Sequence, residues 1–230
     1  MIKAGIIGGA GYTAGELIRL LLNHEEVTID FVFSTSNAGN PVSHVHQDLT
    51  GSTNLVFTNT INTGVDVVFL CLGHGNSKAF LNANTFENHT KIIDLSNDFR
   101  LEADAVLNGK HFVYGLPELY SDSIKTSNYI ANPGCFATAI QLALLPLATH
   151  ELLQNDVHIN ATTGATGAGT SLSATTHVTW RDNNFSYYKP FTHQHLGEIG
   201  ESLKSLQSGF SKALFFMPNR GNFSRGIFAT

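Results

Sequence analysis

The stretch Gly8-Gly9-Ala10-Gly11-Tyr12-Thr13-Ala14-Gly15 sets the architecture of the chain's first part. It follows a short apolar run, residues 2–7, and opens a segment in which Leu17, Leu20 and Leu21 recur at i, i+3 and i+4. An apolar run, a glycine turn and a helical period make a strand–turn–helix unit, with the helix expected over Tyr12–Asn23. Glycine permits the tight turn and lets backbone N–H groups approach a pyrophosphate at the positive helix N-terminus. The spacing of Gly8, Gly11 and Ala14 fits G-x-x-G-x-x-A, a relative of the dinucleotide fingerprint; a glycine-rich turn without a ligand is the competing reading. On the first reading Gly8, Gly11, Tyr12, Thr13 and Ala14 are the cofactor contacts.

Outward from this unit, Val27–Phe33 is a β-branched and aromatic run, and Val65–Leu72 is almost continuously apolar, as a parallel strand covered on both faces should be. Ser77–Phe86 reads as a helix and Lys91–Asp94 as a further short strand. Strands alternating with helices predict an α/β fold with a parallel sheet. The second strand ends Phe33-Ser34-Thr35-Ser36-Asn37, where an NAD site usually carries an acidic residue for the ribose 2′-hydroxyl. Hydroxyls and an amide receive a 2′-phosphate, a carboxylate repels it, and Asp30 lies too early in the strand. Ser34 and Ser36 are therefore expected at the 2′-phosphate and NADP is favoured over NAD, although no arginine stands at this turn.

Ile130–Ala131 leads into Asn132-Pro133-Gly134-Cys135, and from there to Ala148 the chain is apolar nearly all round, which predicts a buried helix. Val157–Thr162, Leu214–Met217 and Ile227–Thr230 read as strands, and Leu196, Ile199, Leu203 and Leu206 mark an amphipathic helix. The expected organisation is a Rossmann domain over 1–134 and an α+β domain over 135–230. The chain stops inside a strand-like run, so the second domain is expected to be C-terminally truncated.

Composition narrows the function. Of 230 residues 42% are hydrophobic, which excludes wholesale disorder. Net charge is −5 with no Lys/Arg block, which argues against nucleic-acid and anionic-membrane partners. No apolar run approaches the ~18 residues that span a bilayer. Two cysteines are too few for a disulfide scaffold, and the N-terminus lacks the pattern of a signal peptide, so a cytoplasmic protein with free thiols is expected.

Pro133-Gly134 marks a turn where the apolar helix begins, with Cys135 at its N-terminus. A helix dipole there favours thiolate, a strong nucleophile toward acyl carbon. Cys71, inside an apolar strand, reads instead as a buried structural cysteine. Further on, Thr192-His193-Gln194-His195-Leu196-Gly197-Glu198 puts two histidines and a glutamate at a helix start. His195 and Glu198, at i and i+3, can share a face, where the carboxylate would orient the imidazole. By itself the pair reads first as a polar helix start, and no third ligand has convincing metal spacing.

Taken together, these segments resemble the N-acetyl-γ-glutamyl-phosphate reductase family, within the aspartate-semialdehyde-dehydrogenase-like group. The matching stretches are 8–17, Asp-Leu-Ser-Asn-Asp-Phe-Arg-Leu (94–101), Tyr-Gly-Leu-Pro-Glu-Leu (114–119), Asn-Pro-Gly-Cys-Phe-Ala-Thr-Ala (132–139), Thr-Gly-Ala-Thr-Gly-Ala-Gly (163–169), His-Gln-His-Leu-Gly-Glu-Ile (193–199) and Arg-Gly-Ile (225–227). The resemblance implies Cys135 as the acyl-accepting nucleophile, His195 as acid/base assisted by Glu198, and Tyr187 and His193 as substrate contacts. It puts Arg100 where the wider group binds phosphate, and it implies that Gly167 and Gly169 let the backbone approach the nicotinamide side of NADP(H). It also implies a homo-oligomer and a reduction of N-acetyl-γ-glutamyl phosphate in arginine biosynthesis. An N-succinylglutamyl or aminoadipyl phosphate reductase, and a non-catalytic NADP-binding fragment, are the alternatives. Thr170, Gly73 and Leu196-Gly197 depart from the family pattern, and Thr170 leaves one expected arginine contact unassigned.

Overall fold

The computed structural model describes residues 1–230, which divide into two units, Met1–Asn132 and Pro133–Thr230. In the first unit the elements run β1 (Ile2–Ile7), α1 (Tyr12–Leu22), β2 (Val27–Phe33), β3 (Phe57–Thr58), β4 (Val67–Leu70), α2 (Asn76–Ala83) and β5 (Lys91–Asp94). A small hairpin, β6 (Val106–Leu107) and β7 (Lys110–His111), precedes β8 (Val113–Tyr114), α3 (Pro117–Thr126) and β9 (Tyr129–Ala131). Seven strands form one sheet in the order β3-β2-β1-β4-β5-β9-β8, every neighbouring pair parallel. The order reverses at β1, between β2 and β4, so a ligand crevice is expected at the C-terminal ends of these strands.

Alternation along the strands feeds two cores. Ala4 and Ile6 of β1, Val67 of β4 and Val32 of β2 pack with Ala14, Ile18 and Leu21 of α1 and with Phe57. Ile7, Val68, Leu70, Ile92, Phe99 and Phe112 form a second cluster, as expected when successive side chains point to opposite faces. Phe99 and Phe112 stack with ring centroids 3.9 Å apart. Each fully buried aliphatic or aromatic side chain of this kind contributes about 1.5–3 kcal/mol, so a sheet covered on both faces needs few polar contacts to hold it.

The second unit runs α4 (Cys135–Thr149), β10 (Val157–Thr163), α5 (Val178–Arg181), β11 (Ser186–Tyr187), α6 (His195–Leu206), β12 (Leu214–Arg220) and β13 (Ile227–Ala229). Its sheet, ordered β11-β12-β10-β13, is mixed: β10 and β12 are parallel, while β11 and β13 pair antiparallel to their neighbours. Helix α4 packs against α6 and against β10 and β13. Ile140, Leu144, Ile159, Ile199, Leu203 and Phe216 are buried in this unit.

The expectation that α4 is buried all round needs correction. One stripe is buried, through Phe136, Ala137, Ile140, Gln141, Leu144, Leu145 and Ala148, while Leu142 and Leu147 are exposed. Apolar composition says which faces of a helix can be buried; the 3.6-residue period and the packing of α6 decide which one is. No helix is long and apolar enough to cross a membrane.

Candidate active site and nucleotide cradle

In the first unit the glycine turn connects β1 to α1. Gly8 has φ +80°, a left-handed conformation, and a Cβ there would lie 2.7 Å from the carbonyl oxygen of Cys71, so both backbone and space demand glycine. The N–H groups of Gly8 and Gly9 donate to the carbonyl of Phe33 at 3.1 and 2.9 Å, tying the turn to the end of β2. Gly11 precedes helix α1 as its N-cap and offers no side-chain cap, the first turn has no acidic residue, and Tyr12 and Thr13 are exposed while Ala14 is buried. This leaves its positive end open to an anion.

Beside the turn, Asn37 donates from its Nδ2 to the hydroxyls of Ser34 and Ser36 at 3.2 and 3.1 Å. Ser34 is buried and Ser36 exposed. Asp30, midway along β2, is occupied with Asn62 Nδ2 at 3.0 Å. A glycine cradle, an uncapped helix start and a hydroxyl-lined strand end without a carboxylate fit a phosphate-bearing dinucleotide. One contributor was not legible in the sequence. His46 is buried, with Nε2 at 2.8 Å from the carbonyl of Gly9. A lone histidine in a loop carries no motif that predicts this.

Arg100 also lies in the first unit. It is buried, with Nε donating to the carbonyl of Asn132 at 2.8 Å and Nη2 to that of Leu95 at 3.0 Å. Nearby, Asp98 accepts from the N–H groups of Gly75 and Lys78 at 2.6 and 3.1 Å and so caps α2. Asp94, fully buried, accepts from the Ser77 and Ser96 hydroxyls at 2.5 and 2.7 Å. Burial, with Asp94 nearby, pushes the Cys71 thiol up to about 12.

The second unit brings Cys135, His193, His195 and Glu198 together. Cys135 is the first residue of α4 and is exposed. Its neighbour Gly134 explains the motif: a Cβ there would lie 2.4 Å from His195 Nε2, so the missing side chain is what lets the imidazole lie against the cysteine turn. The N–H of Gly134 donates to Glu198 Oε2 at 2.9 Å, and Glu198 Oε1 stands 3.9 Å from His195 Nε2. One buried carboxylate thus accepts from the turn before the cysteine and stands beside the histidine on α6. The i, i+3 spacing of His195 and Glu198 puts both groups on the same face of that helix.

His193 and His195 are both buried, with ring centroids 4.5 Å apart, and the N–H of His195 donates to His193 Nδ1 at 3.2 Å. Burial, and next the neighbouring His195, depress His193 to about 4. Phe136 packs edge-on against both histidines and against Phe216. Of the two adjacent tyrosines, Tyr187 is 67% exposed. Tyr188 packs edge-on to His193 at 5.7 Å and is pushed up to about 12, chiefly by burial. Gly169, with φ +76°, closes a short turn over Ala165–Ala168 that includes Gly167; Ala165 and Thr166 of that turn donate to the carbonyls of Phe223 and Ser224. Among the described residues no group of three or more His, Cys, Asp or Glu side chains could hold a metal ion.

A histidine and a buried carboxylate beside an exposed cysteine at a helix start, in a chain whose first unit carries a glycine turn that fits a dinucleotide, suit an oxidoreductase, and the family models put the chain in the semialdehyde dehydrogenase class. Residues 3–127 match the semialdehyde dehydrogenase NAD binding domain and residues 135–230 the semialdehyde dehydrogenase dimerisation domain. Among curated proteins, the N-acetyl-γ-glutamyl-phosphate reductase of Flavobacterium johnsoniae is 68% identical over the whole chain, which covers 71% of that protein. The protein of the same name from Christiangramia forsetii is 66% identical, with 70% of its length covered. The chain belongs to the N-acetyl-γ-glutamyl-phosphate reductase family. Among solved structures, aspartate semialdehyde dehydrogenase II of Vibrio cholerae complexed with ASA aligns over 100% of this chain and 73% of its own, with TM-score 0.67 at 15% identity. Aspartate semialdehyde dehydrogenase of Candida albicans with NADP aligns over 100% of this chain and 70% of its own, with TM-score 0.64 at 16% identity. At these identities the likeness extends to the fold alone.

Proposed function

We propose that this chain reduces N-acetyl-γ-glutamyl phosphate to N-acetylglutamate semialdehyde and phosphate, in arginine biosynthesis, through a thioester on Cys135. The observation that carries the proposal is the contact set around Gly134, where His195 and Glu198 of α6 meet the turn that presents the cysteine. The positive end of α4 favours the thiolate. Cys135 Sγ attacks the γ-acyl carbon, the bond to phosphate breaks, and a thioester remains on the enzyme. NADPH, when bound, supplies the hydride that takes the acyl carbon to the aldehyde level. His195 carries the proton to and from the oxygen on that carbon, a role that typically contributes ~10²–10⁴-fold. Glu198 holds the imidazole in register, and N–H groups at the start of α4 stabilise the tetrahedral oxyanion. Collapse toward the carbonyl then expels the Cys135 thiolate.

His193, depressed to about 4, stays neutral at physiological pH and serves as a substrate hydrogen-bond partner rather than a second acid. In the first unit, Gly8, Gly11, Tyr12, Thr13 and Ala14 receive the pyrophosphate, and Ser34 and Ser36 the 2′-phosphate. Arg100 remains the proposed phosphate ligand. Because it also donates to two carbonyls, Arg100→Lys is expected to lower Tm as well as to raise the KM for phosphate. A homo-oligomer acting in the cytoplasm completes the proposal, and the match to a dimerisation domain supports the oligomer.

The test is phosphate-dependent reduction of NADP⁺ by N-acetylglutamate semialdehyde. His195→Asn should lower kcat strongly with a smaller effect on KM, and His193→Asn should act mainly on KM. Wild-type turnover that ignores phosphate would rule out the acyl-phosphate chemistry.

A further inference from the structure

Two arginines of the second unit meet without an acidic partner. Arg181, the last residue of α5, is 6% exposed. Its Nη2 donates to Ser186 Oγ at 2.8 Å and its Nη1 to the carbonyl of Arg220 at 3.4 Å, while its Nε is buried with no partner. Arg220 ends β12, directly across from Ser186 in the register with β11, and its Nε is also buried and unpartnered. Burial, and then the charge of Arg220, pull the Arg181 pKa below its usual value. The arrangement is held in place: Asn222, with its amide turned to satisfy both neighbours, donates to the Arg181 carbonyl at 3.1 Å and accepts from the Asn183 N–H at 3.0 Å.

Two neighbouring guanidiniums with buried, unmatched donors are costly unless an anion completes them. Their position shows which anion. The Arg220 guanidinium carbon lies 4.9 Å from the Tyr188 ring centroid, and the same ring packs edge-on to His193 at 5.7 Å. Tyr188 thus lies in contact with both Arg220 and His193, which places Arg220 one aromatic ring from His193. A phosphate that leaves from the carbon attacked by Cys135 must sit beside the sulfur. An N-acylglutamyl substrate carries its other anion, the α-carboxylate, separated from that centre by three carbons.

We infer that Arg181 and Arg220 form the subsite for the α-carboxylate of the substrate, with Tyr188 as the wall between this subsite and the reacting carbon. The inference rests on the proposed substrate class and deepens it. The guanidinium fork accepts a carboxylate in a way an ammonium or an amide does not, which makes the pair a specificity determinant as well as an anchor.

The experiment has a binding arm and a kinetic arm. Calorimetry measures binding of N-acetylglutamate and of N-acetyl-4-aminobutyrate, the analogue lacking the α-carboxylate, to wild type, Arg220→Met, Arg220→Lys and Arg181→Lys. A charged hydrogen-bonding pair of this kind is expected to change affinity roughly tenfold to a hundredfold. Arg220→Met should therefore weaken N-acetylglutamate by at least tenfold and leave N-acetyl-4-aminobutyrate unchanged, and Arg220→Lys should recover part of the loss. In the NADP⁺-reducing direction, the same variants should raise the KM for the semialdehyde and not the KM for phosphate. Unchanged N-acetylglutamate affinity in variants of wild-type Tm, or no binding to wild type, overturns the subsite. A raised phosphate KM overturns it in favour of a phosphate site. If wild type shows the Arg220-dependent affinity but no phosphate-dependent turnover, the proposed reaction fails while the carboxylate subsite stands.

Discussion

Gly134→Ala adds a single methyl group and should disable the site from within. The backbone there has φ −67° and ψ 150°, open to any residue, so the substitution carries no conformational strain. The space is the obstacle. The new Cβ would lie 2.4, 2.7 and 2.8 Å from Nε2, Cδ2 and Cε1 of His195, against an ordinary contact of about 3.5 Å. The imidazole must therefore retreat by about 1 Å, and it has little room to do so, being buried between Phe136 and His193. Overpacking of this kind costs about 1–3 kcal/mol of stability. A misplacement of about 1 Å in a catalytic group costs on the order of 10²-fold in rate. The assay is steady-state kinetics of phosphate-dependent NADP⁺ reduction, with Tm and NADP(H) affinity measured on the same preparation. The expected result is a kcat reduced about 10²-fold, with unchanged cofactor affinity and a lowered Tm. A kcat within a factor of about three of wild type in a folded variant would refute the idea that His195 acts from its position over Gly134.

Three further outcomes are expected. Iodoacetamide should alkylate Cys135 well before Cys71, because burial holds the Cys71 thiol near 12 and Cys135 is exposed; preferential labelling of Cys71 would reverse the assignment. Ser36→Asp should weaken NADP(H) far more than NAD(H), since a carboxylate beside Ser34 and Asn37 would repel a 2′-phosphate; equal losses in titrations of the two cofactors would remove the 2′-phosphate from this loop. His193, at about 4 in the folded state and about 6.5 unfolded, takes up its proton more readily when the chain unfolds. Its contribution makes stability fall as pH drops from about 6.5 toward 4, by up to about 3 kcal/mol, with no further change from this group above or below that window. Denaturation midpoints measured across that range should therefore fall less steeply for His193→Asn than for wild type, and parallel curves would contradict the burial argument.

Much of the fold was legible because long-range order here follows local pattern. Val27–Phe33 and Lys91–Asp94 are strands at the limits their apolar runs suggest, and the glycine turn sits at the switch point that the β–turn–α pattern requires. The edges were less legible. Helix α3 begins at Pro117 in a polar stretch with no buried residue, so no hydrophobic period announces it. Strands β3, β6, β7 and β8 have two residues each, too short for any period to register.

The site divides in the same way. Cys135 was singled out by its place at a helix start, whereas the i, i+3 pair His195 and Glu198 by itself read as a polar helix start and took its expected role from the family resemblance. Phe216 and the Arg181–Arg220 contact were not legible, because β12 brings Phe216 to His193 and Arg220 to Arg181 from distant parts of the chain. Tyr187 ends the two-residue strand β11 and Tyr188 follows it; with no periodic pattern at that point, sequence does not separate the exposed ring from the one that packs on His193.

Covalent catalysis by Cys135 is read most plainly by mass spectrometry of the enzyme quenched after mixing with the acyl phosphate in the absence of NADPH. An N-acylglutamyl adduct is expected on the peptide containing Cys135, released by hydroxylamine and absent from Cys135→Ser. An enzyme that turns over with NADPH yet forms no such adduct, or carries it on another residue, would contradict covalent catalysis by Cys135.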